Sequence, residues 1–232
     1  MPLEEKAMSV SIHSKRLGIN FCYLIKAEGW IMFDTGPAFA VPEIIKWFKS
    51  IPLDPADLQL IILSHAHFDH AGAASDLKKL TGAKIAVHAA DRECFEAGEA
   101  VMPTPVTNWG KVSKKMMKPA MPMFKFDGSP VDLIITDEGL SLEEYGIPGR
   151  IIHTPGHTPG SISLLLDNGD AFVGCMTHNA PPFRLYPNHP IYAEDLDQLW
   201  KSWRLMIDQG AKKIYPGHGS PFPVQKIMNV IP

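Results

Sequence analysis

Leu60-Ile61-Ile62-Leu63 runs directly into Ser64-His65-Ala66-His67-Phe68-Asp69-His70. Four apolar residues in a row form a strand buried on both faces, and three imidazoles and a carboxylate crowd the positions just after it. Polar groups at a mostly buried strand end are unfavourable unless something satisfies them. A divalent ion does so, because neutral imidazole nitrogen and carboxylate oxygen are ordinary zinc ligands. A turn at a strand end can also point residues i and i+2 to one side and the next pair to a second point nearby. The spacing H-x-H-x-D-H therefore predicts a metal site rather than surface or core histidines.

Upstream of this stretch, 10–12, 21–25 and 30–33 read as short strands, the last two joined as a hairpin around Glu28-Gly29. Asp34-Thr35-Gly36 is a turn at a strand end, whose carboxylate either orients a ligand or closes the turn. The segment 41–51 has helical spacing with Pro42 in its first turn. Downstream, 71–80 reads as a helix ended by Thr81-Gly82, and 84–87 as a strand. His88 follows that strand and reads as a satisfied structural histidine.

From about 97 to 130 the alternation breaks, and the segment reads as a lid insert. Met102, Met116, Met117, Met121 and Met123 supply five of the chain's 11 methionines, and Lys111, Lys114, Lys115, Lys118 and Lys125 face no acidic residue between Ala100 and Phe126. A long connection in a compact domain is commonly a lid or binding loop. Adaptable methionine surface suits an apolar ligand or a second subunit, as in a homodimer, and the lysines would attract an anionic substrate. The alternative is a solvated, partly helical cover.

Beyond the insert, 131–135, 150–153, 161–166 and 170–174 read as strands, with Asp167-Asn168-Gly169 as a hairpin turn. An amphipathic helix covers 193–207 and a short strand 213–215. Two β-rich blocks, each closed by a helix, imply a repeated architecture without a sequence repeat. Three further polar residues sit on turns as the first cluster does: His157 within Thr154-Pro155-Gly156-His157-Thr158-Pro159-Gly160, Cys175 after Phe172-Val173-Gly174, and His218 after Tyr215-Pro216-Gly217.

Composition sets outer bounds. With 232 residues, 45% hydrophobic and 20% charged, the sequence fits a single globular domain over 1–232. A net charge of −3 argues against a general polyanion binder, hence no nucleic acid. No apolar run reaches membrane-span length, hence no membrane. Met1 to Lys6 is acidic where a secretory leader is basic, which predicts a cytoplasmic protein. Cys22, Cys94 and Cys175 are too few and scattered for a disulfide framework.

In this order the Asp34 turn, H-x-H-x-D-H, the G-H-T-P-G turn, Gly174-Cys175 and the final Gly217-His218 resemble the metallo-β-lactamase superfamily over almost the whole chain. The resemblance implies an α+β fold, a four-layer αβ/βα sandwich of two mixed sheets flanked by helices, with a metal pair at the sheet edge. It implies His65, His67 and His157 on one ion, Asp69, His70 and His218 on the other, and a hydroxide between them as nucleophile. Asp69 would be both a ligand and a catalytic orienter of that hydroxide.

One departure matters. Where dinuclear hydrolases of the family usually carry a bridging aspartate, this chain has Cys175, similar to the zinc β-lactamases. A thiolate selects zinc over harder ions, so one or two Zn2+ are expected, with iron or manganese as alternatives; Cys175 is otherwise a small buried residue beside a depleted site. His70 after Asp69, and the missing secretory signal, separate the chain from those β-lactamases. His178 stands where similar lactonases carry a tyrosine that donates to the substrate carbonyl, and is a second catalytic candidate. Otherwise His178, Asn179 and His189 line a polar mouth. His153 reads as a support for the ligands.

The expected function is a metal-dependent hydrolase opening an ester, thioester or lactone of a small-molecule substrate. Similarity to glyoxalase II is weakened because only 219–232 remain after His218, too short for its helical domain, and the nuclease branches fit poorly for the same reason. A mononuclear iron enzyme of the persulfide dioxygenase type and a non-catalytic metal or redox sensor are the alternatives.

Overall fold

The first half of the chain folds into a six-stranded sheet in the order β1 (Ser11–Leu17), β2 (Asn20–Lys26), β3 (Trp30–Phe33), β4 (Leu58–Ile62), β5 (Lys84–His88) and β6 (Leu133–Ile135). The first three strands are antiparallel and the last four run parallel. A parallel strand is covered on both faces, which is why β4 is apolar apart from the exposed Gln59 near its start. Leu60 and Ile62 point towards the second sheet, whereas Ile61 and Leu63 face α1 (Val41–Phe48), α2 (Phe68–Ala71), α3 (Ala74–Thr81) and α4 (Arg92–Ala97). The computed structural model describes residues 9–232, so the Met1 to Lys6 stretch read for a leader lies outside the described residues.

After α5 (Asn108–Met117), the second half forms another six-stranded sheet: β7 (Leu140–Ser141), β8 (Gly149–His153), β9 (Ile162–Leu166), β10 (Asp170–Phe172), β11 (Lys213–Tyr215) and β12 (Phe222–Pro223). It is antiparallel except for the parallel pair β10 and β11. Ile162, Leu164 and Leu166 pack inward against Phe33, Leu60 and Ile62, while Leu165 faces Leu199, Trp203 and Met206 of α6 (Leu196–Asp208), with α7 (Gln225–Met228) beside them. The layers run helix, sheet, sheet, helix, as expected.

Several boundaries differ from the sequence reading. The expected helix over 71–80 is two helices, α2 and α3, because α2 is a single turn begun inside the histidine motif. The 131–135 strand closes the first sheet beside β5 rather than opening the second block. The strand expected to run to Gly174 stops at Phe172, and Cys175 lies in a tight turn, Gly174–Met176. The two-residue strands β7 and β12 and the short helices α4 and α7 carry too few residues to show a period.

The 97–130 segment, expected to be an insert, is held down by specific contacts. Val106 N–H donates to Ile191 O, Ala193 N–H to Thr104 O, and Thr104 donates twice to the Glu194 carboxylate. Ser113 and Tyr192 hydroxyls bond to each other. These bonds lay residues 104–113 beside the 191–194 segment that precedes α6.

Candidate metal centre

The strands of both sheets end at one edge, and backbone bonds join them there. Ile162 N–H donates to Ser64 O (2.8 Å), Phe21 N–H to Gly217 O (2.7 Å) and Gly217 N–H to Gly174 O (2.8 Å). The loops after β4, β8, β10 and β11 are thereby brought into contact, and the structure gathers all seven candidate ligands, His65, His67, Asp69, His70, His157, Cys175 and His218. They form two groups. His65, His157 and Cys175 have ligand atoms within 4.8 Å of one another, as do His70, Cys175 and His218, so the sulfur lies between the groups. His67 Nδ1 is 3.0 Å from His157 Nε2, and Asp69 Oδ2 is 3.3 Å from His218 Nε2 and 3.7 Å from His70 Nε2.

The outer nitrogens of these rings fix what the inner ones can be. His157 Nδ1 reaches Tyr192 O at 2.9 Å and His218 Nδ1 reaches Ile19 O at 3.0 Å. A carbonyl only accepts, so both Nδ1 atoms carry a proton and a neutral ring turns a bare lone pair inward. His70 Nδ1 is likewise held by Asp34 Oδ2 at 2.7 Å. Ser64 Oγ donates to Asp34 Oδ2 (2.9 Å) and meets His65 Nδ1 at 2.9 Å, leaving His65 Nε2 buried without a partner. His70 Nε2 and His218 Nε2 are only 3.2 Å apart, and Cys175 Sγ is 3.1 Å from His70 Nε2. Converging lone pairs, a carboxylate and a thiol in a buried hollow are a donor set for divalent cations, and the residues fit the ions that the motif implies.

The electrostatics point the same way. Burial alone would raise the Cys175 thiol, yet the charges of His70 and then His218 hold it well below its ordinary range. Burial would lower His218, but Cys175 and Asp69 push it up to about 10. His70 is raised against its burial by Cys175, Asp34 and Asp69. Asp69 is held below the usual carboxylate range, its burial outweighed by His70 and His218. His67, further from the anions, is drawn down by burial, then by His157, to about 3. Buried Asp34, Asp69 and Cys175 thus demand positive charge, and protons on His70 and His218 answer where a divalent ion would.

Asp34, which the sequence left between two roles, orients the ligands. It accepts from Ser64 N–H (2.8 Å), Ser64 Oγ and His70 Nδ1, from a left-handed backbone at φ 58°. Asp91 escaped the sequence reading. Its carboxylate accepts from Ala66 N–H (3.1 Å), Thr158 Oγ1 (2.9 Å) and Gly160 N–H (2.9 Å), tying the H-x-H loop to the G-H-T-P-G loop. The signal was its place three residues after the strand that ends at His88, beside the 60–63 strand. His88 bonds Ala90 N–H and Asp137, as a structural histidine should. His153 bonds Pro159 O (2.8 Å) and Asp137, so it steadies the His157 loop rather than a ligand ring.

A narrow cavity of about 70 Å³ opens over the centre, its polar lining His67, Asp69, His157, Cys175, His178 and His218 and its apolar lining including Ile19, Phe68, Met102, Met117 and Phe183. His178 is buried with neither ring nitrogen bonded, and its ring packs against Phe183 (4.7 Å) and His218 (4.8 Å). Burial first of all draws its pKa to about 4, so the ring is neutral. Asn179 and His189 turn elsewhere, to Ser220 O and to Pro190 O and Arg184. Cys22 is a buried core residue and Cys94 is half-buried, both free thiols.

Comparison with known proteins identifies the family of the chain. The chain is 27% identical over 215 residues to the beta-lactamase-like protein 2 homolog of Drosophila melanogaster, covering 90% of this chain and 62% of that protein. It is 28% identical over 172 residues to an N-acyl homoserine lactonase of a Bacillus species, covering 63% of this chain and 58% of the lactonase. The chain thus spans about three fifths of the length of these relatives. Among solved structures it superposes on the BLEG-1 B3 metallo-beta-lactamase with TM-score 0.69 and 22% identity, covering 97% and 98% of the two chains, a likeness of fold. The family model of the metallo-beta-lactamase superfamily matches residues 16–218, and the chain belongs to that superfamily.

Proposed function

We propose that the protein is a metal-dependent hydrolase acting on an ester, thioester or lactone of a small molecule, with zinc as its metal. The observation that carries this reading is the convergence of imidazole nitrogens, His65 Nε2 among them without a partner, with the Asp69 carboxylate and the Cys175 thiol at a narrow, largely apolar cavity. His65, His67 and His157 would hold one ion and Asp69, His70 and His218 the other, with Cys175 between them favouring zinc. Bound there, the ions would acidify a water and polarise the scissile carbonyl. Similarity to a lactonase supports the ester and lactone classes.

The chain's own residues then divide the work. Asp69, 3.3 Å from His218 Nε2 and 3.7 Å from His70 Nε2, would help hold the second ion and orient the attacking water. His178, neutral and unbonded, donates its ring N–H to the carbonyl oxygen as negative charge develops there. Ile19, Phe68, Met102 and Phe183 exclude bulk solvent and receive the apolar part of the substrate. A complete second group around His70 and His218 favours this reading over a mononuclear iron oxygenase.

The test is turnover of a panel of lactones, thioesters and esters by zinc-loaded protein, with chelated protein as control. Metal-dependent turnover of one class is expected, and replacing His178 by Phe should lower kcat about 10²-fold with little change in metal content. One iron per chain with oxygen consumption, or no turnover of any member, would overturn the reading.

A further inference from the structure

A second cavity, of about 610 Å³, adjoins the first and shares Val101 and Met102 with it. Its charged lining is Lys114, Lys118 and Lys125 against the single acidic residue Glu99, and the rest is apolar, including Met121 and Pro122. Lys114 Nζ donates to Met102 O (3.2 Å) and Pro103 O (3.0 Å), which fixes the shared wall. Lys118 and Lys125 are exposed and make no salt bridge among the described residues. Lys111 and Lys115, on the same helix as Lys114, do not line the cavity.

The two cavities therefore meet at Val101 and Met102: one holds the candidate ligands, and the other carries the exposed ammonium groups of Lys118 and Lys125. An apolar wall with two free cations recognises an amphiphile bearing an anion. We infer that the second cavity is an anion-binding substrate subsite, and that the substrate places its scissile carbonyl at the metal centre and a phosphate or carboxylate group, beyond an apolar spacer, against Lys118 and Lys125. This rests on the proposed hydrolase for the substrate's reacting end, but the anion site itself does not need turnover.

Calorimetric binding of hexyl phosphate, hexanoate and hexanol to the metal-loaded protein tests the site without catalysis. At low ionic strength, at least one of the two anions should bind more tightly than hexanol, and which one distinguishes phosphate from carboxylate. K118Q/K125Q should weaken that binding about tenfold, whereas K111Q/K115Q should leave it unchanged. Added salt should erase the difference. Equal binding of all three probes would overturn the inference, as would anion binding that K118Q/K125Q leaves intact, since the anion would then sit on the metals. If the panel yields a substrate, a phosphate- or carboxylate-bearing version should show a raised KM and an unchanged kcat in K118Q/K125Q. Loss of the hydrolase reading with anion binding retained would separate the two proposals.

Discussion

Cys175 sits beside the imidazoles of His70 and His218, which answer its charge and that of Asp69, with its sulfur 3.1 Å from His70 Nε2. A buried thiol held well below its ordinary range by neighbouring imidazoles is a soft anion in waiting. Replacing Cys175 with Asp keeps the negative charge and hardens the donor, so metal content measured after growth on mixed metals should move from zinc towards manganese or iron. Unchanged content would mean the sulfur does not coordinate. At this scale the sequence was most legible for His65, His67, Asp69 and His70, because four donors in six residues form a local pattern. Asp91 and Ser64 were not, since a carboxylate that serves three donors from two loops acquires its role only when those loops meet. Asp91→Ala leaves Ala66 N–H, Thr158 Oγ1 and Gly160 N–H to find other partners. A loss of about 3–5 kcal/mol in urea unfolding is expected.

Among the elements, the turn after β10 shows what local pattern cannot say. The run Phe172-Val173-Gly174-Cys175 reads as a strand that ends in a ligand, yet the strand stops at Phe172 and the turn swings the thiol inward. Gly174 makes this possible: its φ is +49°, and a Cβ there would lie 2.5 Å from Ser64 Oγ. Ser64 links Asp34 to His65, so Gly174→Ala should disturb the ligand rings as well as strain the turn. Metal content by elemental analysis should fall more in this variant than in Gly82→Ala, where φ is +76° but nothing lies within 4 Å. Equal retention would confine the role of Gly174 to the backbone. Strands such as β4 and β9 were legible because both faces are covered. The pairing of β6 with β5 was not, because its sequence does not say which sheet it joins across a long connection.

For the whole molecule, the donors are split between the two sheets: His65, His67, Asp69 and His70 come from the first half and His157, Cys175 and His218 from the second. Ions held by both halves bind the folded chain and not the unfolded one, so they add stability by mass action as well as chemistry. At free metal about 1,000-fold above its dissociation constant, the gain is about 4 kcal/mol, which for a chain of this size raises Tm by roughly 8–16 °C. Calorimetric scans with and without chelator should show that drop, and re-addition of zinc should restore it. The Cys175→Asp variant should regain its Tm with manganese better than the parent does. A chelator that leaves Tm unchanged would mean the Ile162–Ser64 and Phe21–Gly217 backbone bonds hold the two halves together unaided. The donor cluster would then be preorganised by the fold rather than assembled by the ions.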